Sequence, residues 1–259
     1  MMDQAALLRA YDDQLRTDAE AHGAVSVTRL GPLWLMTFAG GQGFVSYRDL
    51  DGANVERLVP EALERYRADP AIGQVEWKTR GHDRAPGLHA TLVANGFVPE
   101  ERESIMLGDA AALAVEVPLP AGVTLRRVTA EPDVRALCAM QDEAFGTPSA
   151  FHGAAALLRQ LADGDGLELW AAEAAGRIVS AGRLEPVPGT DFAGIWGGAT
   201  LPEWRHRGIY RALTAVRARS ALAAGKTLLH SDSTEYSRPI LERAGLVKVS
   251  TTTPYVWKR

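Results

Sequence analysis

Apolar residues at spacings of three and four (Ala5, Leu8, Tyr11, Leu15, Ala19) predict an amphipathic helix over residues 4–22. The pattern then becomes extended. VSVTRL, PLWLMTFAG and GFVSYRDL, separated by Gly and Pro, predict three strands. NVERLVPEALERYRAD returns to a helical period, with Pro60 expected to mark a start or a kink. VEWKTR reads as a strand, PGLHATLVANG as a helix stopped by Gly96, and FVPEERESIMLG as extended.

Residues 109–122 (DAAALAVEVPLPAG) are small, contain proline and carry no clear period, so the domain boundary is placed there. A second run of elements follows. VTLRRV predicts a strand, PDVRALCAMQDEAFG a helix ending at Gly146, and FHGAAALLRQLADG a second helix. LELWAAEAAGRIVSAGRLEPV predicts a hairpin turning at Ala175–Gly176, and FAGIWGGATL another strand. GIYRALTAVRARSALAAG is a helix closed by Gly225; KTLLHSD is a strand, SRPILERAG a helix, and LVKVSTTTPYVWK a final pair of strands. The ends of the two runs are alike. LVANGFVPEERESIML can be laid on LERAGLVKVSTTTPYVW with Gly96 on Gly245, which points to an internal duplication.

Composition narrows the function classes. The chain has 259 residues, 46% hydrophobic and 23% charged, with a net charge of −4. No global basic surface calls for nucleic acid, so any anion site is local. The N-terminus is charged from Asp3 onward, unlike a signal peptide, and no apolar run is long enough to span a membrane. The expectation is a cytoplasmic protein, monomer or homodimer, with neither nucleic-acid nor membrane partners. The single cysteine, Cys138, lies in a helical apolar pattern and reads as core packing. The six histidines show no ligand spacing, so no metal is expected. No G-x-S-x-G elbow supports nucleophilic serine chemistry.

One local anion site stands out. PEWRHRGIYRALT, residues 202–214, follows the Gly-rich strand and opens a long helix. The first turn of a helix leaves N–H groups unpaired at the positive end of its dipole. Gly208 there lets a ligand approach the backbone, and Arg205, Arg207 and Arg211 add charge. The pattern is neither a Walker loop nor a dinucleotide-binding G-x-G-x-x-G.

Arg205-x-x-Gly208-x-Tyr210 resembles the Q/R-x-x-G-x-G/A signature of the GCN5-related N-acetyltransferases (GNAT). The order of elements over residues 121–259 is similar to that family's, as is SRPILERAGL to its penultimate helix. The resemblance implies a mixed α/β fold with two GNAT-like domains. Residues 1–110 would be a shortened domain lacking the first strand and its helices, 111–122 a linker, and 123–259 the acetyltransferase domain. It implies acetyl-CoA as cosubstrate, its pyrophosphate on Arg205, His206, Arg207, Gly208, Ile209, Tyr210 and Arg211. Its pantetheine would run along Ala199, Thr200 and Leu201, and Ser237 would reach the cofactor or cap a helix. Two departures stand out: Tyr210 replaces the usual Gly or Ala, and Leu241 stands where the family's thiolate-protonating tyrosine aligns. In the N-terminal half Asp49 and Asp51 occupy the corresponding turn, an acidic surface that repels phosphate.

LLHSDSTEYSRP offers His230, Asp232 and Tyr236 as acid or base, with His230 and Asp232 on one face by alternation. Asp232 could equally cap a helix or end a strand. The acceptor expected is an amine of a small molecule or peptide, contacted by residues near 145–165 such as Phe151 and His152. The rival reading is a non-catalytic acyl-CoA-binding or interaction protein.

Overall fold

The computed structural model describes residues 2–146 and 153–259. Its contacts divide the chain into two units. The N-terminal unit comprises Asp3–Met106, Asp232–Arg238 and Lys248–Arg259; the C-terminal unit comprises Leu107–Ser231 and Pro239–Val247, together with the chain's first residues. The units therefore do not follow a single boundary in sequence. Most of the chain's last strand belongs with the N-terminal unit, whereas the sequence reading places 123–259 in one domain.

The N-terminal unit begins with α1 (Gln4–Gln14), N-capped by the Asp3 carboxylate, and a 3-10 turn at Asp18–Ala21. The single helix expected over 4–22 is thus broken. Strands β1 (Ser26–Leu30), β2 (Leu33–Phe38) and β3 (Gln42–Tyr47) form an antiparallel meander. Helix α2 (Val55–Arg67) then crosses over to β4 (Gln74–Arg80), which pairs parallel with β3, as a crossover connection allows. Pro60 lies inside α2 and does not end it. The bond it forgoes belongs to the carbonyl of Glu56, an exposed residue of the helix's first turn. Val55, Leu58, Val59, Ala62, Leu63 and Tyr66 bury one face of α2 against Leu35, Val45, Val75 and Trp77. Helix α3 (Leu88–Ala94) and strand β5 (Val98–Pro99) follow, then β6 (Glu103–Asp109), which contributes residues to both units. The last strand, β12 (Val247–Lys258), runs antiparallel to β4 from Thr252↔Arg80 to Lys258↔Gln74. It is one strand of 12 residues where two were expected. TTTPY holds no glycine to turn the chain, and Pro254 is accommodated opposite Lys78.

The C-terminal unit opens with the short helix α4 (Ala110–Leu113), inside the segment expected to be linker. Ala110 and Leu113 are buried, which anchors it. Then come β7 (Val123–Val128), α5 (Glu131–Phe145), α6 (Ala154–Asp163), β8 (Glu168–Ala174) and β9 (Arg177–Pro186). The β8–β9 hairpin turns at Ala175 and Gly176, both at positive φ, the twist that suits a two-residue turn. β10 (Phe192–Thr200) pairs antiparallel with β9; α7 (Ile209–Ala223) crosses over to β11 (Leu228–Ser233), parallel to β10; α8 (Arg238–Ala244) follows. The strand order β7-β8-β9-β10-β11 and the helix placements match the order implied by the sequence. The N-terminal half repeats the strand–strand–strand–helix–strand–helix part of this series, with α1 and its 3-10 turn ahead of it; among the described residues no strand precedes α1 as β7 precedes α5. Among the described residues no helix is long and apolar enough to cross a membrane.

Candidate active site

β10 and β11 are in register only from Phe192↔Leu228 to Gly194↔His230. Past that rung β10 continues without a β11 partner, which leaves an open strand edge. Just there β10 is bulged: its register with β9 jumps from Trp196↔Arg183 to Ala199↔Ala181, so Gly197 and Gly198 face the single residue Gly182. Gly197 has φ 59°, which favours glycine. The Trp196 indole lies back over Gly194, where an added Cβ would meet its Nε1 at 2.2 Å. His230, at the last paired rung, meets Trp196 edge-on at 5.1 Å and Phe192 at 5.8 Å between ring centroids.

The turn that follows could hold an anion. A 3-10 turn (Pro202–Trp204) leads through His206 (φ 62°) and Gly208 (φ 80°) into α7. Helical bonding begins with the Ala212 amide on the Gly208 carbonyl, so the amides of His206 through Arg211 have no acceptor among the described residues. They lie at the positive end of a 15-residue helix. The arginines divide their work. Arg205 donates to the carbonyls of Thr200 (3.0 Å) and Ala144 (3.1 Å), so it braces the turn. Arg207 stacks over Trp204 at 4.9 Å, and Arg211 is exposed. Ile209 is buried and anchors the helix start, while the Tyr210 ring packs on Gly198.

Ala199, Thr200 and Leu201 are buried, and several of their polar groups are engaged. Ser180 donates to the Ala199 carbonyl at 2.7 Å, and the Leu201 amide donates to Val179. Among the acid–base candidates, Asp232 is in a 2.6 Å ion pair with Lys78, both nearly buried in the N-terminal unit. Tyr236 is 88% exposed. Ser237 lies 3.4 Å from both the carbonyl and the hydroxyl of Thr234, in the turn before α8. Leu241 is buried in the packing of α8. Phe151 and His152 lie outside the described residues. Among the described residues no three His, Cys, Asp or Glu side chains gather as a metal set. Burial, then Asp142, pushes the Cys138 thiol up, so it is a poor nucleophile.

Sequence reading missed a cluster in the N-terminal unit. Glu76 lies two residues before Lys78 on β4 and Glu103 starts β6. Burial raises both carboxyls to about 7, helped by Asp232 and opposed by Lys78. Strand alternation alone gives Glu76 and Lys78 one face, but nothing in the sequence says that face is covered. Farther along β4 the parallel pairing with β3 ends at Val45↔Trp77. Beyond it the buried Arg80 pairs with Glu20, Arg16 with Asp83 (2.7 Å), and the Tyr47 hydroxyl donates to Asp83 (2.6 Å). The splay of the N-terminal half is filled by its own ion network. Ser250, His82 and Asp12 form a chain of 2.7 Å and 3.1 Å contacts beside it. Arg16 Nη1 lies 2.9 Å from His82 Nε2, which ties the ring to the same network.

No family model matches the sequence, and no curated protein matches it. Solved structures do resemble it. A GCN5-related N-acetyltransferase from Kribbella flavida is 19% identical over 92% of this chain and 93% of its own, with a TM-score of 0.67. A functionally unknown conserved protein from Staphylococcus epidermidis ATCC 12228 is 12% identical over 94% of this chain and 98% of its own, with a TM-score of 0.65. A tandem GNAT protein from the clavulanic acid biosynthesis pathway is 18% identical over 90% of this chain and 81% of its own, at 0.59. The fold is therefore the GNAT fold in tandem, with a shortened N-terminal half.

Proposed function

We propose that the chain is an acyl-CoA-dependent N-acetyltransferase that moves an acetyl group from acetyl-CoA directly to an amine of a small molecule or peptide. The observation that carries this reading is the row of acceptor-free amides at the start of α7, set beside the open edge of β10. A pyrophosphate would take those amides together with Arg207 and Arg211, and the pantetheine would follow the unpaired edge of β10. The amine would attack the thioester carbonyl. A C–N bond forms, the C–S bond breaks, the amine's proton is lost to a base and the thiolate gains a proton. His230, at the mouth of the splay, is the candidate base in the C-terminal unit.

The rival reading is a GNAT scaffold that binds acyl-CoA without turnover. It is favoured by Leu241, whose apolar side chain is buried where the resembling family places an acid. Mixing the protein with acetyl-CoA and a panel of amines while following free thiol separates the two. Thiol release that depends on amine supports transfer; calorimetric CoA binding with no release on any amine supports the rival; no binding sinks both. Arg207→Glu should weaken CoA binding at least ~10-fold, the equivalent of about 1.4 kcal/mol, with Tm unchanged because the side chain is exposed. Unchanged affinity would return Arg207 to the role of a solvated residue stacked on Trp204.

A further inference from the structure

Arg217 is an anomaly of the C-terminal unit. It lies in the middle of α7, is 1% exposed, and no carboxylate among the described residues pairs with it. A buried charge of this kind is costly, and an apolar side chain of similar volume often serves stability as well. Its donors go instead to the backbone and hydroxyls. Nε reaches the Leu213 carbonyl (3.1 Å), Nη1 the carbonyls of Arg183 (3.2 Å) and Trp196 (3.5 Å), and Nη2 the Thr214 hydroxyl (3.3 Å). The Tyr210 phenol interacts with the same guanidinium.

Arg183 and Trp196 are register partners and form the last rung before the β10 bulge. The next carbonyl, that of Gly197, accepts from the buried Gln141 side chain of α5 at 2.6 Å. Two successive carbonyls, 196 and 197, are therefore held from two different helices. A peptide unit is planar, so holding the carbonyl of Trp196 fixes the N–H of Gly197, and holding that of Gly197 fixes the N–H of Gly198. The glycines make room for these grips. An added Cβ would lie 2.6 Å from Arg217 Nη1 at Gly182, 2.9 Å from Gln141 Nε2 at Gly197, and 2.7 Å from the Tyr210 ring at Gly198.

We infer that Arg217 and Gln141 are positioning residues: they clamp the β10 bulge so that its amides face the thioester carbonyl in one fixed direction. The inference rests on the acetyltransferase reading. Preorganised backbone donors stabilise a developing oxyanion only if their direction is held, and small misplacements are expensive. Tyr210, the departure from the usual Gly or Ala, completes the clamp by covering Gly198.

The test compares Arg217→Met, Arg217→Lys and Gln141→Leu by CoA calorimetry, thermal unfolding and acetyl-transfer kinetics. Arg217→Met should lower kcat by on the order of 100-fold, leave CoA affinity within about twofold, and keep Tm. Arg217→Lys should restore part of kcat, and Gln141→Leu should lower kcat by roughly tenfold with affinity kept. Unchanged kcat in the folded variants would overturn the clamp, as would a fall in CoA affinity that accounts for the whole loss. Amide hydrogen exchange supplies a readout apart from turnover. Gln141→Leu should speed exchange at Gly197 and Gly198 selectively, and unaltered exchange would also overturn the clamp. If the wild-type protein binds no acetyl-CoA, the acetyltransferase reading and the clamp's role in transfer both fail, while slow exchange lost in Gln141→Leu would still support a bulge held by these side chains.

Discussion

Asp232→Ala should cost about 3–5 kcal/mol of stability and lower Tm by on the order of 10 °C. Lys78 and Asp232 are 2.6 Å apart with only 16% and 11% of their side chains exposed. Burial alone would pull the Lys78 ammonium down. The Asp232 carboxylate more than offsets that and holds it well above the usual lysine range. Removing Asp232 leaves the buried cation without its ion-pair partner; Glu20 still acts on it, and Glu76 and Glu103, held at about 7 chiefly by burial, make up for the loss only in part as they ionise more readily. A double variant, Lys78→Met with Asp232→Leu, should regain most of the loss, because the lone charge and not the missing contact carries the cost. Urea unfolding of the single and double variants measures this directly. The outcome also decides between two roles for Asp232. A variant with wild-type stability and lost turnover would make it a base, whereas lost stability repaired by the double variant makes it half of a structural pair.

The strand-to-helix turn at 202–211, the proposed donor side of the site, was legible as a backbone arrangement because it is built from local chemistry. A Gly-rich strand, a proline, arginines and Gly208 are neighbours in sequence, and each constrains the backbone on its own. The structure refines this by giving Arg205 to the carbonyls of Thr200 and Ala144 and leaving Arg207 and Arg211 outward. The duplicated order of elements was legible for the same reason, since period-two and period-3.6 patterns are local. Pairings distant in sequence were not. β12 joins β4 across more than 150 residues, and TTTPYVWK carries no mark of its partner. Arg217 was invisible for a related reason. In TAVRARSALAAG it reads as one of two helix-surface arginines, and only the neighbouring glycines 182, 197 and 198 hint that something bulky lies against β9 and β10. Lys78, Glu76 and Glu103 look like solvated charges on alternating strands; their burial comes from elements packed over them, which spacing does not encode.

Glu76→Gln should stabilise the protein at pH 8 and leave it nearly unchanged at pH 4. The Glu76 carboxyl is raised from 4.5 to about 7 by burial first, then by Glu100 and Asp232 against the pull of Lys78 and Arg80. A carboxyl that binds its proton more tightly when folded loses stability as pH rises. Below about 4.5 both states are protonated and the group is neutral in its effect. Between about 4.5 and 7 the unfolded chain ionises while the folded one resists, and above about 7 the full penalty is present. That penalty is on the order of 3 kcal/mol for an isolated group displaced this far. The Glu103 carboxyl, also about 7 and raised in part by Glu76, relaxes when Glu76 is neutralised, which adds to the gain. A Tm gain of roughly 5–10 °C at pH 8 is expected, and it should vanish by pH 4. Asp232→Asn gives the cross-check. Losing that charge lets both glutamates ionise more readily, so the fall of stability with pH should move to more acidic values. Equal Tm changes for Glu76→Gln at pH 4 and pH 8 would show that folding does not shift the Glu76 carboxyl, with Lys78 balancing its burial after all.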